Sequence, residues 1–264
     1  MKRCKKYRMK FIMLIMFIFP LAVSVSSYGG SRNLSLSSEG ISQMVIDCGA
    51  GFLELKGVEG LNEIRVKAEI IAGKRKGEKL REYIEKNVEL SLEKEENRAV
   101  LISKIDHSSF SFFRGNSEYI INLTIEVPSQ LNLSIKDGSG SIDIANVNGR
   151  VKIHDGSGDL YMDNVYGDVE VEDGSGSIDV RRLTGNLAIS DGSGGMEVKK
   201  INGDLNIIDG SGFIRTSDID GSLEIRDGSG SIYIDGVSND VDILESGSGG
   251  VQFKNIKGRI SGDL

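Results

Sequence analysis

Apolar residues in the C-terminal part of the chain fall into five columns that return every eighteen positions. Each repeat is started here at the Asp of an Asp-Gly-Ser-Gly phrase: Asp137, Asp155, Asp173, Asp191, Asp209 and Asp227. The sixth position then holds Ile142, Leu160, Ile178, Met196, Ile214 and Ile232, and the eighth Ile144, Met162, Val180, Val198, Thr216 and Ile234. The eleventh runs from Val147 to Val237, the fifteenth from Val151 to Val241 and the seventeenth from Ile153 to Ile243. Two short stretches per repeat thus alternate with the two-residue period of a strand. A second glycine column (Gly149, Gly167, Gly185, Gly203, Gly221), with Asn239 next, divides each repeat into two nine-residue halves, and left-handed turns are expected there. A lone coil has no partner for its strand hydrogen bonds. Identical coils supply one by stacking about 4.8 Å apart, and about seven of them give a rod ~35 Å long. The fold class is all-β: a two-faced parallel β-solenoid of eighteen residues per coil, with an irregular N-terminal third.

The same pattern reaches beyond the regular phrases. One inserted residue in Glu245-Ser-Gly-Ser-Gly249 returns Val251, Phe253, Ile256, Gly258 and Ile260 to their columns. Upstream, Asp47-Cys-Gly-Ala-Gly51 followed by Phe52, Leu53, Leu55, Val58 and Gly60 reads as a diverged coil, so the solenoid begins near Val45 and is interrupted. Within the interruption Leu80, Tyr83, Ile84 and Val88 have helical spacing, which predicts one short helix. Val88, Leu90 and Leu92, then Val100 and Ile102, alternate around a polar turn at Glu95 to Asn97, which predicts paired strands. Ile121, Leu123, Ile125 and Val127, then Leu131, Leu133 and Ile135, lead back into the coils. No Pro/Gly/Ser-rich linker divides the chain. The expected organisation is a leader at 1–27 and one solenoid domain at 28–264. Its diverged part with the helix and hairpin covers 28–118, and its regular coils 119–264.

The leader comes from charge and hydropathy. Met1 to Lys10 carries six basic residues and no acid, Phe11 to Val23 is almost wholly apolar, and Ser24 to Ser27 are small. That is the form of a secretory signal peptide, and its apolar run is shorter than the ~20 residues of a spanning helix. The expected location is exported: periplasm, cell surface or extracellular, with no integral membrane segment after cleavage. Removing six positive charges from a net −7 leaves −13, which disfavours nucleic acid and anionic lipid as partners. Cys4 leaves with the leader, so Cys48 has no partner for an internal disulfide and is expected to be a small buried filler.

Candidate chemistry is sparse. The six aspartates Asp137, Asp155, Asp173, Asp191, Asp209 and Asp227 could form a ladder holding calcium, as in glycine- and aspartate-rich rolls. Those rolls carry Asp in both turns, whereas here the opposite edge reads Asn146, Asn164, Arg182, Lys200 and Asp218. The competing reading has each Asp accepting hydrogen bonds from the Ser and Gly amides that follow it. Metal ligation is therefore not the expected role, and no other cofactor is implied. His107 and His154 are the only histidines, so a multi-histidine metal site is excluded and a catalytic triad has few candidates. The outward columns (Asp143, Tyr161, Asp179, Glu197, Arg215, Tyr233; and Lys152, Glu170, Ala188, Asn206, Glu224, Asp242) are mixed in sign and form no aromatic stripe. Phe110, Phe112 and Phe113 form the one aromatic cluster, either a partner-binding patch or a cover over the core.

The leader, the segment Tyr-x-Ile-x-Leu-x-Ile-x-Val-Pro at Tyr119 to Pro128, and the recurring Gly-Ser-Gly-x-Ile and Gly-x-Val-x-Ile strands resemble the bacterial putative adhesin family of secreted β-strand-repeat proteins, a domain-of-unknown-function family. The resemblance implies surface attachment and brings no catalytic or ligand-binding residues with it. The expected function is non-enzymatic: a secreted or envelope β-solenoid presenting a flat surface to a protein or glycan ligand, with self-association through the solenoid ends as a further expectation. A periplasmic or envelope-stress accessory role is the alternative, and a polysaccharide-active enzyme comes third.

Overall fold

The computed structural model describes residues 26–28, 30–106 and 119–262. The chain opens with β1 (Ser26–Tyr28), β2 (Ser31–Ser37), β3 (Gln43–Cys48), β4 (Leu53–Val58) and β5 (Glu63–Ala72). Then come α1 (Glu78–Asn87), β6 (Val88–Glu95), β7 (Arg98–Ile105), β8 (Tyr119–Pro128), β9 (Asn132–Asp137) and β10 (Ile142–Val147). Regular coils follow: β11 (Val151–Asp155) with β12 (Leu160–Tyr166), β13 (Val169–Asp173) with β14 (Gly176–Thr184), and β15 (Leu187–Asp191) with β16 (Gly194–Asn202). The last are β17 (Leu205–Asp209) with β18 (Gly212–Asp220), β19 (Leu223–Asp227) with β20 (Gly230–Val237), β21 (Val241–Glu245) with β22 (Val251–Ile256), and β23 (Ile260–Gly262).

Among the described residues these strands make two facing sheets of twelve and eleven. From β9 and β10 onward every neighbour in both sheets is parallel. The register advances by eighteen residues as far as β20 and by nineteen at the inserted residue, where Ile232 pairs with Val251. The five apolar columns line the space between the sheets and are almost wholly buried up to Ile243. Eleven strands at about 4.8 Å span ~48 Å. This exceeds the length expected from coils alone because the N-terminal third extends both sheets.

That third does not simply precede the coils. β3 lies between β7 and β9, and β4 between β8 and β10. The chain therefore lays down one coil, leaves it to build a cap on its outer side, and crosses back beneath it through Ser129 to Leu131. The Ser129 amide bonds the Val58 carbonyl, and the Asn148 amide bonds that of Ser129. Within this cap the pairing turns antiparallel: β8 with β5, β5 with β2, β2 with β1, and β7 with β6. At the far end β22 and β23 are the outermost strands, and Val251, Phe253 and Ile256 are only half-buried.

The predicted helix is α1, with Tyr83 and Ile84 buried. The predicted hairpin is β6 and β7, but β7 shows its other face to the core. Ala99, Leu101 and Ser103 are buried, whereas Val100 and Ile102 are half-exposed. Residues 99 to 102 are all apolar, so alternation does not choose a face. Pairing with β3 does, setting Ala99 on Met44 and Leu101 on Ile46.

Turn geometry also departs from expectation. Ile144 and Val147 both point inward although three residues apart, so the strand must take up an extra residue between them. Asn146 does this at φ 59°, followed in its column by Asn164, Arg182, Lys200, Asp218, Gly236 and Asn255, all left-handed. Asn239 is not. In the second glycine column Gly167, Gly185 and Gly203 do take positive φ, at 144°, 140° and 152°, and close stacking fixes the column as well: a Cβ on Gly185 would lie 2.4 Å from the Gly167 carbonyl oxygen.

Candidate functional site

The six Asp-Gly-Ser-Gly aspartates lie inside the solenoid. Each stands two residues after the seventeenth column, so it continues the inward alternation of its strand, and all six are 0–6 % exposed. Successive members are direct partners in the ladder, Asp137 on Asp155 and onward to Asp227. As expected, the following Ser amide donates to Oδ1, at 3.0–3.2 Å for Asp155, Asp173, Asp191, Asp209 and Asp227. The Gly amide donates to the main-chain carbonyl of the Asp one coil away, as Gly174 does to Asp155. Cys48 occupies the same column in the first coil, and its thiol donates to Asp137 Oδ1 at 3.1 Å. Beyond it stands Ser103, paired with Cys48. The second carboxyl oxygen of all six aspartates and the Ser103 hydroxyl are buried without a protein partner.

Electrostatics follow from this burial. Loss of solvent pushes the carboxyls of Asp137, Asp155, Asp173 and Asp209 up to about 6, and those of Asp191 and Asp227 upward as well. Adjacent carboxylates add to the effect at Asp155, Asp173 and Asp209. Burial first, then Asp137, drives the Cys48 thiol far above its ordinary range, so it stays protonated. Calcium takes six to eight oxygens, while this file offers one unpartnered carboxyl oxygen per coil. Among the described residues no three His, Cys, Asp or Glu side chains converge as a metal ligand set.

A second feature lies on the outer face of the eleven-stranded sheet, where a shallow groove of about 610 Å³ runs across the coils. Six carboxylates line it, from Asp168, Glu170, Asp204, Glu224, Asp240 and Asp242, and no Lys or Arg does. Ala188 supplies the hollow, since a methyl group stands where neighbouring coils carry Glu170 and Asn206. The rim is held by a side-chain ladder. Asp168 Oδ1 accepts the Asn186 amide at 3.1 Å, Asn186 Oδ1 that of Asp204 at 3.0 Å, and Asp204 Oδ1 that of Ser222 at 2.8 Å. Basic residues close the ends, with Lys152 on Glu170 at 2.7 Å, Arg150 on Asp168 at 3.8 Å and Arg259 on Asp240 at 3.6 Å. Read singly, the column through Glu170 and Glu224 looks mixed in sign. The groove emerges only when the turn residues two positions earlier, Asp168, Asp204 and Asp240, are placed on the same face.

His154 sits on an outer face, its Nδ1 3.0 Å from Glu172 Oε2. Phe110, Phe112, Phe113 and His107 lie outside the described residues, as does almost all of the expected leader. No described helix is long and apolar enough to cross a membrane.

The stacked coils with their recurring glycine turns coincide with a family model described as Toastrack DUF4097, which matches residues 41–259. The chain belongs to the Toastrack family. It is a family of unknown function, and the match spans this Toastrack chain from just before β3 to just before β23. No curated protein matches it. Three solved structures are similar at 13 % identity. A putative cell adhesion protein from Clostridium sporogenes covers 88 % of this chain and 100 % of its own, with a TM-score of 0.35. A putative adhesin from Parabacteroides merdae covers 89 % and 97 %, and one from Bacteroides fragilis 90 % and 98 %, both with a TM-score of 0.32.

Proposed function

We propose that this Toastrack protein is an exported, non-catalytic β-solenoid that works by attachment, docking a cationic segment of a partner on its acidic sheet face. The observation that carries the reading is the groove itself. Six carboxylates line it on a parallel sheet with a hydrogen-bonded rim and no basic residue among the lining; Asp168, Glu170 and Asp240 are ion-paired at its edges, and Asp204, Glu224 and Asp242 are left for a partner. Fixed charges of one sign on a preorganised surface steer an oppositely charged partner and set its register. The basic, then apolar, then small-residue N-terminus supports export.

The test compares Asp204→Asn/Glu224→Gln/Asp242→Asn with a control that neutralises three carboxylates elsewhere, Glu54→Gln/Glu59→Gln/Glu89→Gln. An extended lysine-rich peptide serves as the probe at two ionic strengths. Roughly tenfold weaker binding for the groove variant, with less than about twofold for the control, is expected. Equal losses in both would reduce the interaction to net charge and contradict the reading.

A further inference from the structure

The solenoid contains a polar column that its apolar core does not explain. Seven unpartnered oxygens, those of Ser103 and the six aspartates, share one interior column with the Cys48 thiol. A fully ionised file would keep six buried carboxylates about 4.8 Å apart. Each would hold one oxygen without a donor, at a cost well above that of the same pairs in water. Nothing facing the file supplies a compensating cation. Along the column stand other aspartates, the neutral Cys48 thiol and the hydroxyls of Ser103 and Ser246, and none of these is a cation. The inward columns of the opposite sheet are aliphatic except for Thr216. Of the charged groups near enough to act on the column, Asp47 and Glu245 are acidic, and His154 points outward to Glu172.

We propose that the aspartate file is a proton-holding site, in which part of the carboxyls take up solvent-derived protons on their second oxygens while the chain is folded. The proton adds to a carboxylate oxygen and turns it from an acceptor into a donor. Loading about half the file, acid alternating with carboxylate, removes every nearest-neighbour pair of like charges. The amide bonds to Oδ1 are untouched by this, which leaves Oδ2 as the titrating atom. The upward displacement of all six carboxyls agrees, and their protons come off as a coupled set.

The sign follows from linkage. The folded-state values, about 6 for four members, lie above the unfolded value of 3.8. The stabilisation is therefore complete below pH 3.8 and is lost as pH rises through 6. The fold is tightened by mild acid and loosened by alkali, opposite to a carboxylate held by a salt bridge.

Carboxyl carbon NMR of the purified chain, labelled at Asp, tests this from pH 8 to 4. Expected is a set of buried Asp resonances titrating near pH 6. Midpoints at or below 4 for all of them would overturn the proposal. Asp173→Asn keeps the Oδ1 acceptor and removes the charge. Its melting temperature should rise at pH 8 relative to wild type, and the gain should vanish at pH 4.5. An equal loss at both pH values would overturn the proposal. So would a melting temperature at pH 8 that rises with added calcium and falls with chelator, because the free oxygens would then belong to a cation.

Discussion

Replacing Gly194 by Ala puts a methyl group where the stack leaves no room. A Cβ there would lie 1.6 Å from the Gly176 carbonyl oxygen one coil away, at a backbone φ of 152° that L side chains rarely adopt. Restoring an ordinary contact means moving that carbonyl by roughly 1.5 Å, about a third of the ~4.8 Å coil spacing. The cross-coil bonds from the Gly194 amide to Ser211 at 2.9 Å and from the Gly176 amide to Ser193 at 3.1 Å cannot survive such a shift. Each polar group left unpaired costs about 1–3 kcal/mol, and the conformation adds ~1–2 kcal/mol. The total is ~4 kcal/mol or more, a large part of the ~5–15 kcal/mol that holds a typical domain. Two controls separate the causes. Gly60→Ala has φ +72° with nothing within 4 Å, so it should lose only about 1 kcal/mol. Gly250→Ala, in open space at an ordinary φ, should stay within about 0.5 kcal/mol of wild type. Urea unfolding followed by far-ultraviolet circular dichroism ranks the three. A Gly194→Ala midpoint no lower than that of Gly60→Ala would refute stacking as the reason for the glycines.

Truncation of Ile189, buried between Val171 and Ile207, should cost about 2–5 kcal/mol in the same assay, while truncation of the exposed Ile208 should cost less than ~0.5 kcal/mol. Lys200 holds a left-handed conformation that suits Asn better; Lys200→Asn should raise the midpoint by about 0.5–1 kcal/mol, and a loss would remove backbone strain as the explanation of that column. The buried, proton-holding Cys48 thiol should react with an aromatic disulfide reagent at pH 8 only after urea is added; rapid reaction in the native protein would show that the first coil is open.

The eighteen-residue period and the two-residue alternation made the stack legible, because every inward side chain repeats both along its strand and along the axis. The face of β7 was not legible, since Ala99 to Ile102 are apolar on both sides and only the pairing with β3 decides. The aspartates were read as turn residues because they open a glycine phrase. Their spacing of two from Ile153, Val171, Ile189, Ile207 and Ile225 in fact carries the inward alternation one step further. Likewise the three-residue step from Ile144 to Val147 already required an inserted left-handed residue, and five of the seven residues in that column are Asn, Asp or Gly. The acidic groove could not be found in any single column. It joins a turn position to a strand position two residues later, and it depends on Ala188 being small.

Attachment requires that the solenoid face the outside of the cell. Intact cells would be treated with a membrane-impermeant amine-reactive biotin, with a cytoplasmic protein as the leakage control, and the chain recovered and probed for label at exposed lysines such as Lys200. Labelling while the control stays unmodified is the predicted result. Protection of the chain until the envelope is opened would contradict surface attachment.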